Sequence, residues 1–323
     1  MRDKLGEEFK GDSKFVAKCR KLQSIYRIEI GEEICPYTDR NGNVHYYGNY
    51  IENGDTPKDG CWKNFLTEDA FKHANERVEN KKKYETIEKD RLFNNLLSSQ
   101  PMAFNLFCPL RQMFEESPET ATKVIKAALP GYPIHEVTGV ELEFIPKNYK
   151  DLTGDKSAMD AIIKFEGEDG KKGFIAVETK YSENLGTNAA YKMDVNGKKI
   201  PRSQCVNAIK ELQCFTPNTE KNIMEGNTPL TQIYRNFLLS ETYGLKEELQ
   251  SYSIILAPKE HPTTETELKS LVDNLSDGYK DKIKRVYLED FVNAIINNCP
   301  DKYRVVFECF YDRYLNFEKL EKY

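Results

Sequence analysis

The chain has 323 residues, which is enough for one large domain or for a core with a smaller addition. Hydrophobic residues make up 39% and charged residues 31%, and the 19 Tyr and 17 Phe argue against a disordered chain. The net charge of -5 provides no general attraction to nucleic acid, so DNA binding would need a local basic surface.

Apolar runs and cysteine spacing restrict the class of protein further. No apolar run approaches the roughly 20 residues that span a bilayer, and the N-terminus lacks the apolar segment of a signal peptide. We therefore predict no membrane partner and a cytoplasmic location. The 8 cysteines lie far apart without a CxxC pair, so we expect them to be reduced and mostly buried. The 4 scattered histidines do not support a His-based metal site or a Ser-His-Asp triad.

The first part of the chain is predicted to be a small α+β segment. In "DRNGNVHYYGNY", Asn41-Gly42 lies between candidate strands, as the turn of a β-hairpin does. From Thr67 to Leu97 the pattern is helical and very polar. The stretch "ENKKKYETIEKDR" is interpreted as a solvated helix face, with a DNA-binding role as the alternative.

The remainder alternates between helical and β-rich patterns. Helices are predicted over 101–116 and 117–131, where Ser117 can cap the second helix and Pro118 fits its first turn. Three β-rich segments follow, and the Gly and Asp residues of "EGEDGKKG" indicate a hairpin loop, so we predict an antiparallel meander over 134–146, 158–167 and 173–181. Later helices are predicted over 202–215, 229–244 and 263–275, and a buried strand over 251–258.

Charged residues follow directly on the apolar strand in "FIAVETKYSE". Residues two apart in a strand share a face, so Glu178 and Lys180 point the same way while Val177 and Thr179 face the opposite side. On the preceding strand, Asp160 interrupts the apolar stretch "SAMDAII", where a lone carboxylate is costly without a partner or a cation. We therefore expect these acids and the lysine to converge, although an exposed Glu–Lys ion pair at a strand end is the simpler alternative.

Hydrolysis of a phosphodiester by metal-bound water requires residues of these types. Carboxylate oxygens hold Mg²⁺, which neutralises charge on the phosphoryl oxygens and lowers the pKa of its water. A nearby ammonium can orient or activate that water. The cluster therefore fits this chemistry.

The arrangement of Asp160, seventeen further residues and then Glu178-Thr179-Lys180 resembles the signature of the PD-(D/E)XK nuclease superfamily. The resemblance covers roughly residues 95–260 and is greatest to an uncharacterised bacterial restriction-endonuclease-like family. Its recurring stretches resemble "LLSSQPMAFNLF", "ELEF", "SAMDAII", "VETKYSE" and "TQIYRNFLL", in that order. The chain departs from the pattern at Met159, where many members of the superfamily have Pro.

The resemblance implies a role for each residue of the signature. Asp160 and Glu178 become ligands of Mg²⁺ or Mn²⁺, and the backbone carbonyl of Thr179 becomes a further ligand. Lys180 becomes the residue that positions the attacking water. Metal-dependent cleavage of nucleic acid is the activity that this set implies.

Three residues outside the signature are weaker candidates. Glu143 alternates with apolar neighbours in "VELEF" and could supply a third acid to the metal, as could Glu141 on the same face, and surface exposure is an equal alternative. Gln100 and Asn105 lie near a predicted helix start in "SSQPMAFNLF". They either support the site or satisfy buried backbone groups beside a Ser98 or Ser99 cap.

Contacts with DNA are predicted on one helix and one loop. Gln232 and Arg235 lie three residues apart on one helix face, and the planar guanidinium of Arg235 could bind a phosphate, although a structural role is the alternative for both. The segment "YKMDVNGKKIPR" is predicted to be a loop after the strand that carries Glu178. Its cations could follow a DNA backbone or be merely solvated; they are Lys192, Lys198, Lys199 and Arg202.

These observations predict an α/β (α+β) protein with a restriction-endonuclease-like core, in which helices flank a mixed central sheet. Residues 1–94 are expected to form an N-terminal α+β extension with a helical lead-in, and residues 95–323 the nuclease-like domain with C-terminal helices. The predicted activity is Mg²⁺-dependent endonucleolytic hydrolysis of DNA. The alternatives are a non-catalytic binding or scaffold protein on the same fold and an RNA or single-strand nuclease, and a homodimer is left open.

Overall fold

The computed structural model of the protein describes residues 2–39, 41–58, 60–82, 87–186, 191–193 and 199–323. Side chains are not described for residues 2, 3 and 191–193. Two predicted DNA contacts, Lys198 and the side chain of Lys192, therefore lie outside the described residues.

The regular elements alternate between helices and strands along most of the chain. The α-helices are α1 (Arg2–Leu5), α2 (Lys14–Glu29), α3 (Glu68–Glu79), α4 (Lys89–Asn94), α5 (Ser99–Glu116), α6 (Pro118–Ala128), α7 (Tyr149–Leu152), α8 (Ser203–Leu212), α9 (Pro217–Met224), α10 (Gln232–Lys246), α11 (Thr264–Val272), α12 (Leu288–Asn298) and α13 (Asp301–Tyr314). The strands are β1 (Tyr37–Thr38), β2 (Val44–His45), β3 (Glu136–Phe144), β4 (Met159–Glu166), β5 (Lys172–Thr179), β6 (Tyr191–Met193), β7 (Lys199–Pro201), β8 (Gln250–Ala257) and β9 (Ile283–Tyr287). Short 3₁₀ helices span Asp277–Lys282 and Phe317–Lys322.

Within the described ranges, the central sheet has five strands in the order β3-β4-β5-β8-β9. Strands β3, β4 and β5 form an antiparallel meander, whereas β8 and β9 run parallel to β5. The parallel pairing needs crossover connections, which α10 and α11 supply. The predicted mixed sheet flanked by helices, and the predicted meander, are therefore confirmed.

Apolar side chains project from both faces of the sheet and pack against different helices. Ile163 and Phe165 of β4 join one core with α5, α6, α12 and α13. Ile162 of the same strand faces the other side, where Leu239 of α10 packs. Because neighbouring strand residues point to opposite faces, this alternation makes a three-layer arrangement with the sheet in the middle.

Several local predictions are confirmed by the backbone. Ser98 caps α5 by accepting from Gln100 N, and Ser117 caps α6 by accepting from Thr120 N, both at 3.2 Å. Strands β1 and β2 pair antiparallel around Gly42, whose φ of 84° lies in the region that glycine tolerates. The cysteines are free, and five of the eight are buried.

Two predicted segments differ from the structure. The polar stretch 79–91 is not one helix, because α3 ends at Glu79 and α4 begins at Lys89. Asn80 to Lys82 are not helical and carry no apolar face that packing could bury. The predicted loop 191–202 has a strand near each end, since β6 pairs with β7 in antiparallel register.

The predicted division at residue 94 stays a prediction. Phe15 and Phe65 from the first part share one hydrophobic core with Phe107 and Tyr314 from the second. Helix α2 also packs against α13. No helix of the described residues is both long and apolar enough to cross a membrane.

Candidate active site

Three carboxylates lie in one row across neighbouring strands. The pairing of Ala161 with Val177 places the next residues, Asp160 and Glu178, opposite each other on β4 and β5. The pairs that flank Glu143 place it opposite Asp160 in the same way. Opposite residues of paired strands share a face and have Cβ atoms about 5 Å apart. The sheet therefore gathers the two predicted metal ligands and the third candidate acid on one side.

Asp160 is held near the beginning of β4. Its Oδ2 atom accepts hydrogen bonds from Thr179 N at 2.6 Å and from Thr179 Oγ1 at 2.7 Å. Among the described residues, no donor binds the other oxygen, Oδ1. Burial raises the pKa of Asp160 well above its ordinary value, and Glu178 and Glu143 add repulsion in the same direction.

Glu178 is buried and surrounded by donors. Its Oε1 atom accepts from Lys180 Nζ at 2.7 Å and from Gln232 Nε2 at 2.8 Å. Its Oε2 atom accepts from Asn236 Nδ2 at 2.7 Å. A carboxylate has about four acceptor positions, so this arrangement orients Glu178 and leaves room for one more partner.

Lys180 is buried beside two carboxylates. Burial alone lowers the pKa of a lysine, but Glu178 and Asp160 oppose that effect and raise the pKa of Lys180 above its ordinary value. The ammonium is therefore protonated and serves as a hydrogen-bond donor and a fixed positive charge. Gln232 Oε1 lies 3.4 Å from Lys180 Nζ and accepts from Gly186 N at 2.8 Å, which ties the lysine to the next loop.

Glu143 adopts an unusual backbone conformation within β3. Its φ of 49° lies in the left-handed region, which costs a non-glycine residue about 1 kcal/mol or more. The Oε1 atom of this buried side chain accepts a 3.3 Å bond from Gln100 Nε2, and Arg77 donates to its carbonyl oxygen. Gln100 Oε1 is itself buried and has no partner among the described residues. Gln100 therefore supports Glu143 at the edge of the site.

A pocket of about 400 Å³, here called the carboxylate pocket, opens above the row of acids. Its walls carry both acidic and basic side chains. They include Arg91, Gln100, Glu143, Asp155, Lys156, Asp160, Glu178, Lys180, Gln232 and Arg235. Most of its cations are paired, since Arg91 contacts Glu183 at 2.6 Å and Arg235 contacts Asp155 at 2.9 Å. Among the described cations of this pocket, the exposed Lys156 alone lacks a carboxylate partner.

The predicted DNA contacts lie in two different places, inside and outside the carboxylate pocket. Gln232 lines the carboxylate pocket, but its amide binds Glu178 and Gly186. Arg235 lines the same pocket and pairs with the buried Asp155. Lys199 and Arg202 are exposed outside the pocket, and Arg202 donates to Gly154 O at 3.0 Å.

Asn105, a possible supporting residue, lies in the core. It is fully buried, accepts from Leu66 N and donates to Asn64 O and Tyr314 Oη. These bonds join α5 to the N-terminal segment and to α13. For Asn105, the structure therefore favours the alternative in which its amide satisfies buried polar groups.

Sequence reasoning missed three residues of the site. Asn236 lies one helical turn after Gln232, so the i, i+4 spacing on α10 could have revealed it. Glu183 follows Lys180 closely and binds Arg91 and Ser99 N, the latter at 2.9 Å. Lys156 precedes β4 in a polar loop, and no spacing rule in the sequence distinguishes it from other lysines.

The donor set fits a divalent cation held by two carboxylates. No group of three or more His, Cys, Asp or Glu side chains within the described ranges could hold a metal ion. Asp160 Oδ1 and the remaining acceptor position of Glu178 are hard oxygen donors on the same sheet face, and a cation between them would offset their mutual repulsion. Glu143 as a third ligand, and the Thr179 carbonyl as another, stay predictions.

Comparison with known families gives one match for this chain. The model of the PD-(D/E)XK nuclease superfamily matches residues 10–316, nearly the whole chain. No curated protein and no solved structure matches the chain.

Proposed function

Because the chain belongs to the PD-(D/E)XK nuclease superfamily, we propose that it is a metal-dependent endonuclease that hydrolyses DNA phosphodiester bonds. One observation carries the proposal: Asp160 and Glu178 stand opposite each other on one sheet face, with Lys180 Nζ 2.7 Å from Glu178. Both members of this ion pair are buried, which distinguishes it from an ordinary exposed Glu–Lys pair at a strand end.

Each residue of the cluster has a separate task. Asp160 and Glu178, with the Thr179 carbonyl, would hold Mg²⁺ or Mn²⁺. The bound cation supplies neutralisation of the charge that develops on the phosphoryl oxygens. Lys180, protonated and fixed by Glu178, donates a hydrogen bond that orients the attacking water beside the phosphate. Gln232 and Asn236 keep Glu178 in position.

Recognition of the substrate would rest on phosphate contacts. Lys156 offers an unpaired ammonium at the pocket, and Arg235 has a buried Nε without a partner among the described residues. DNA as the substrate, a cytoplasmic location and a homodimer all stay predictions. So do the DNA contacts of Gln232, Lys198, Lys199 and Arg202.

The rival function is a binding or scaffold protein that keeps the fold without turnover. The hydrogen bonds that fix Glu178 favour the enzyme, because a protein without turnover does not need a buried, oriented Glu–Lys pair at the edge of a pocket. An RNA or single-strand nuclease would use the same cluster, so only a substrate comparison separates these activities.

Cleavage of supercoiled plasmid tests the proposal. We expect the wild-type protein to nick or linearise plasmid with Mg²⁺ and to lose that activity in EDTA. Asp160→Asn should lose activity and recover part of it at higher Mg²⁺, because one ligand charge is missing. Asp151→Asn, a change at an exposed acid on α7, is the matched control and should cut normally.

Parallel reactions with duplex DNA, single-stranded DNA and RNA identify the substrate. Faster cleavage of RNA or of single-stranded DNA would show that the protein is an RNA or single-strand nuclease instead of a nuclease of duplex DNA. If the wild-type protein cuts none of these with Mg²⁺ or Mn²⁺ while still binding nucleic acid, the scaffold function is correct instead.

A further inference from the structure

Another pocket, of about 440 Å³, opens on the other side of Lys180. We call it the side pocket. It shares Arg91, Lys180 and Gln232 with the carboxylate pocket, so the two pockets are adjacent and have a common wall. Its remaining walls come from α2, from the residues around Tyr50 and Asn95, and from the loop after β5. The N-terminal part of the chain therefore forms one side of a pocket next to the proposed active site.

The side pocket is polar but its cations are already neutralised. Arg20 binds Asp12 through two nitrogens, at 2.6 and 2.9 Å. Arg91 pairs with Glu183, and Lys180 pairs with Glu178. Among the described residues of the side pocket, no cation remains for a phosphate group. Its occupant should therefore be polar and uncharged.

An aromatic ring and amide groups line the same space. Tyr50 stacks on Tyr37, with ring centroids 4.8 Å apart and an angle of 17° between the planes. This contact fixes the ring. Burial raises the pKa of Tyr50 to about 12, so its hydroxyl stays neutral. A fixed aromatic ring is a stacking surface for a flat ligand.

The amides supply directional hydrogen bonds. Asn95 Oδ1 accepts from Asn49 Nδ2 at 2.8 Å and from Leu97 N at 3.0 Å, which fixes its side chain. No acceptor among the described residues binds Asn95 Nδ2 or Asn184 Nδ2. Both amide nitrogens are therefore available to the carbonyl and ring-nitrogen acceptors of a nucleobase.

We propose that the side pocket binds one unpaired nucleobase of the strand whose scissile phosphate lies at the proposed metal site of Asp160 and Glu178. The proposal rests on the proposed nuclease function and specifies its substrate class as nucleic acid with an extrahelical or single-stranded nucleotide at the cleavage position. Stacking on Tyr50 and hydrogen bonds from the two asparagines hold the base, and the shared wall of Lys180 and Gln232 keeps it next to the reacting phosphate.

Binding of a duplex with one unpaired 2-aminopurine tests the assignment, with Ca²⁺ replacing Mg²⁺ to slow cleavage. We expect this duplex to bind about tenfold tighter than one with an abasic site at the same position, because base stacking is lost there. Its fluorescence should fall on binding. Tyr50→Leu should abolish the preference and Tyr50→Phe should keep it. Tyr46→Leu, a change at an exposed tyrosine outside the pocket, is the control.

Asn184→Leu provides a second test at an exposed position, in case Tyr50→Leu does not fold. It should reduce the preference for the base while the fully paired duplex binds as before. Equal wild-type affinity for the base and the abasic site would overturn the inference, as would a preference that survives Tyr50→Leu. Plasmid cleavage that persists alongside equal affinities would remove this inference and leave the nuclease intact.

Discussion

Two buried glutamates beside helix α10 have opposite surroundings. Glu178, on β5, accepts hydrogen bonds from Lys180, Gln232 and Asn236. Glu241 lies on α10 beyond Gln232 and Asn236, and its Oε1 atom has no partner in the described structure. Burial raises the pKa of Glu241 to about 7, and a hydrogen bond with Ser251 and the charge of Lys282 only partly oppose that rise.

The difference separates burial from chemical organisation. Both residues are buried, so burial alone does not identify a functional acid. Glu178 has a cation and two amides directed at it, and the first two turns of α10 supply both amides. An oriented carboxylate of this kind is suited to hold a cation, whereas Glu241 can be accommodated in its protonated form.

Removing the ammonium of Lys180, which binds Glu178, should have the largest effect on the cleavage rate. Lys180→Ala is expected to cost about 3–4 kcal/mol of transition-state stabilisation, the size of a lost oxyanion donor, because no other group replaces the positioned ammonium. DNA affinity should change little. Single-turnover cleavage measures the loss, with Lys150→Ala on the exposed side of α7 as the control. Cleavage at the wild-type rate would make Lys180 an ordinary strand-end lysine.

Glu241 should reveal itself in the pH dependence of stability. Because the pKa of Glu241 is raised in the folded protein, its stabilising contribution to the free energy of unfolding is complete below pH 4.5 and is lost as the pH rises through about 7. Above that range the loss is about 3 kcal/mol. We expect Glu241→Gln, which stays neutral, to lack this decline in urea titrations between pH 5 and pH 8. Glu247→Gln at the exposed helix end is the control. Parallel curves for wild type and Glu241→Gln would show that Glu241 does not titrate in this range.

Loss of an amide that orients Glu178 should have a smaller effect. Asn236→Ala removes the 2.7 Å bond to Oε2, and we expect cleavage to slow about tenfold and to need more Mg²⁺, since hydrogen bonds to charged groups contribute about 1.5–3 kcal/mol. A Mg²⁺ titration of the cleavage rate measures both effects. Asn227→Ala, on an exposed turn before α10, is the control. A reduced rate with an unchanged Mg²⁺ dependence would mean that Asn236 does not act through the metal site.

The smallest expected effect concerns the unpaired cation of the carboxylate pocket. Lys156→Ala should weaken DNA binding only a few-fold and lower the slope of log affinity against log salt by about 0.9, the value for one phosphate contact. Anisotropy titrations across a salt series measure the slope, again with Lys150→Ala as the control. An unchanged slope would show that Lys156 is solvated in the complex as well.

The sequence predicted the parts of the site that follow strand periodicity. Alternation along β4 and β5, with the family resemblance, was enough to select Asp160, Glu178 and Lys180. The sheet order and the parallel strand β9 were not predictable in the same way, because they depend on pairing between segments far apart in the chain. The short sequence "IKRVY" has too few residues for a clear pattern.

The surroundings of the site depended on tertiary contacts. Gln232 was predicted either to contact DNA or to have a structural role, and its side chain joins Glu178 to Gly186, a loop residue 46 positions earlier. Arg235 was predicted to bind phosphate, and the structure adds a buried partner, Asp155, 80 positions away. Helix periodicity gives the direction of these side chains but does not identify the group that each one meets.

Anomalous diffraction from crystals soaked in Mn²⁺ tests the central claim most directly. We expect one strong peak between Asp160 Oδ1 and Glu178, at about 2.1 Å from each oxygen, and no such peak in Asp160→Asn crystals. No peak at this position in well-ordered wild-type crystals, or a peak only at other acids, would contradict the assignment of these residues as metal ligands.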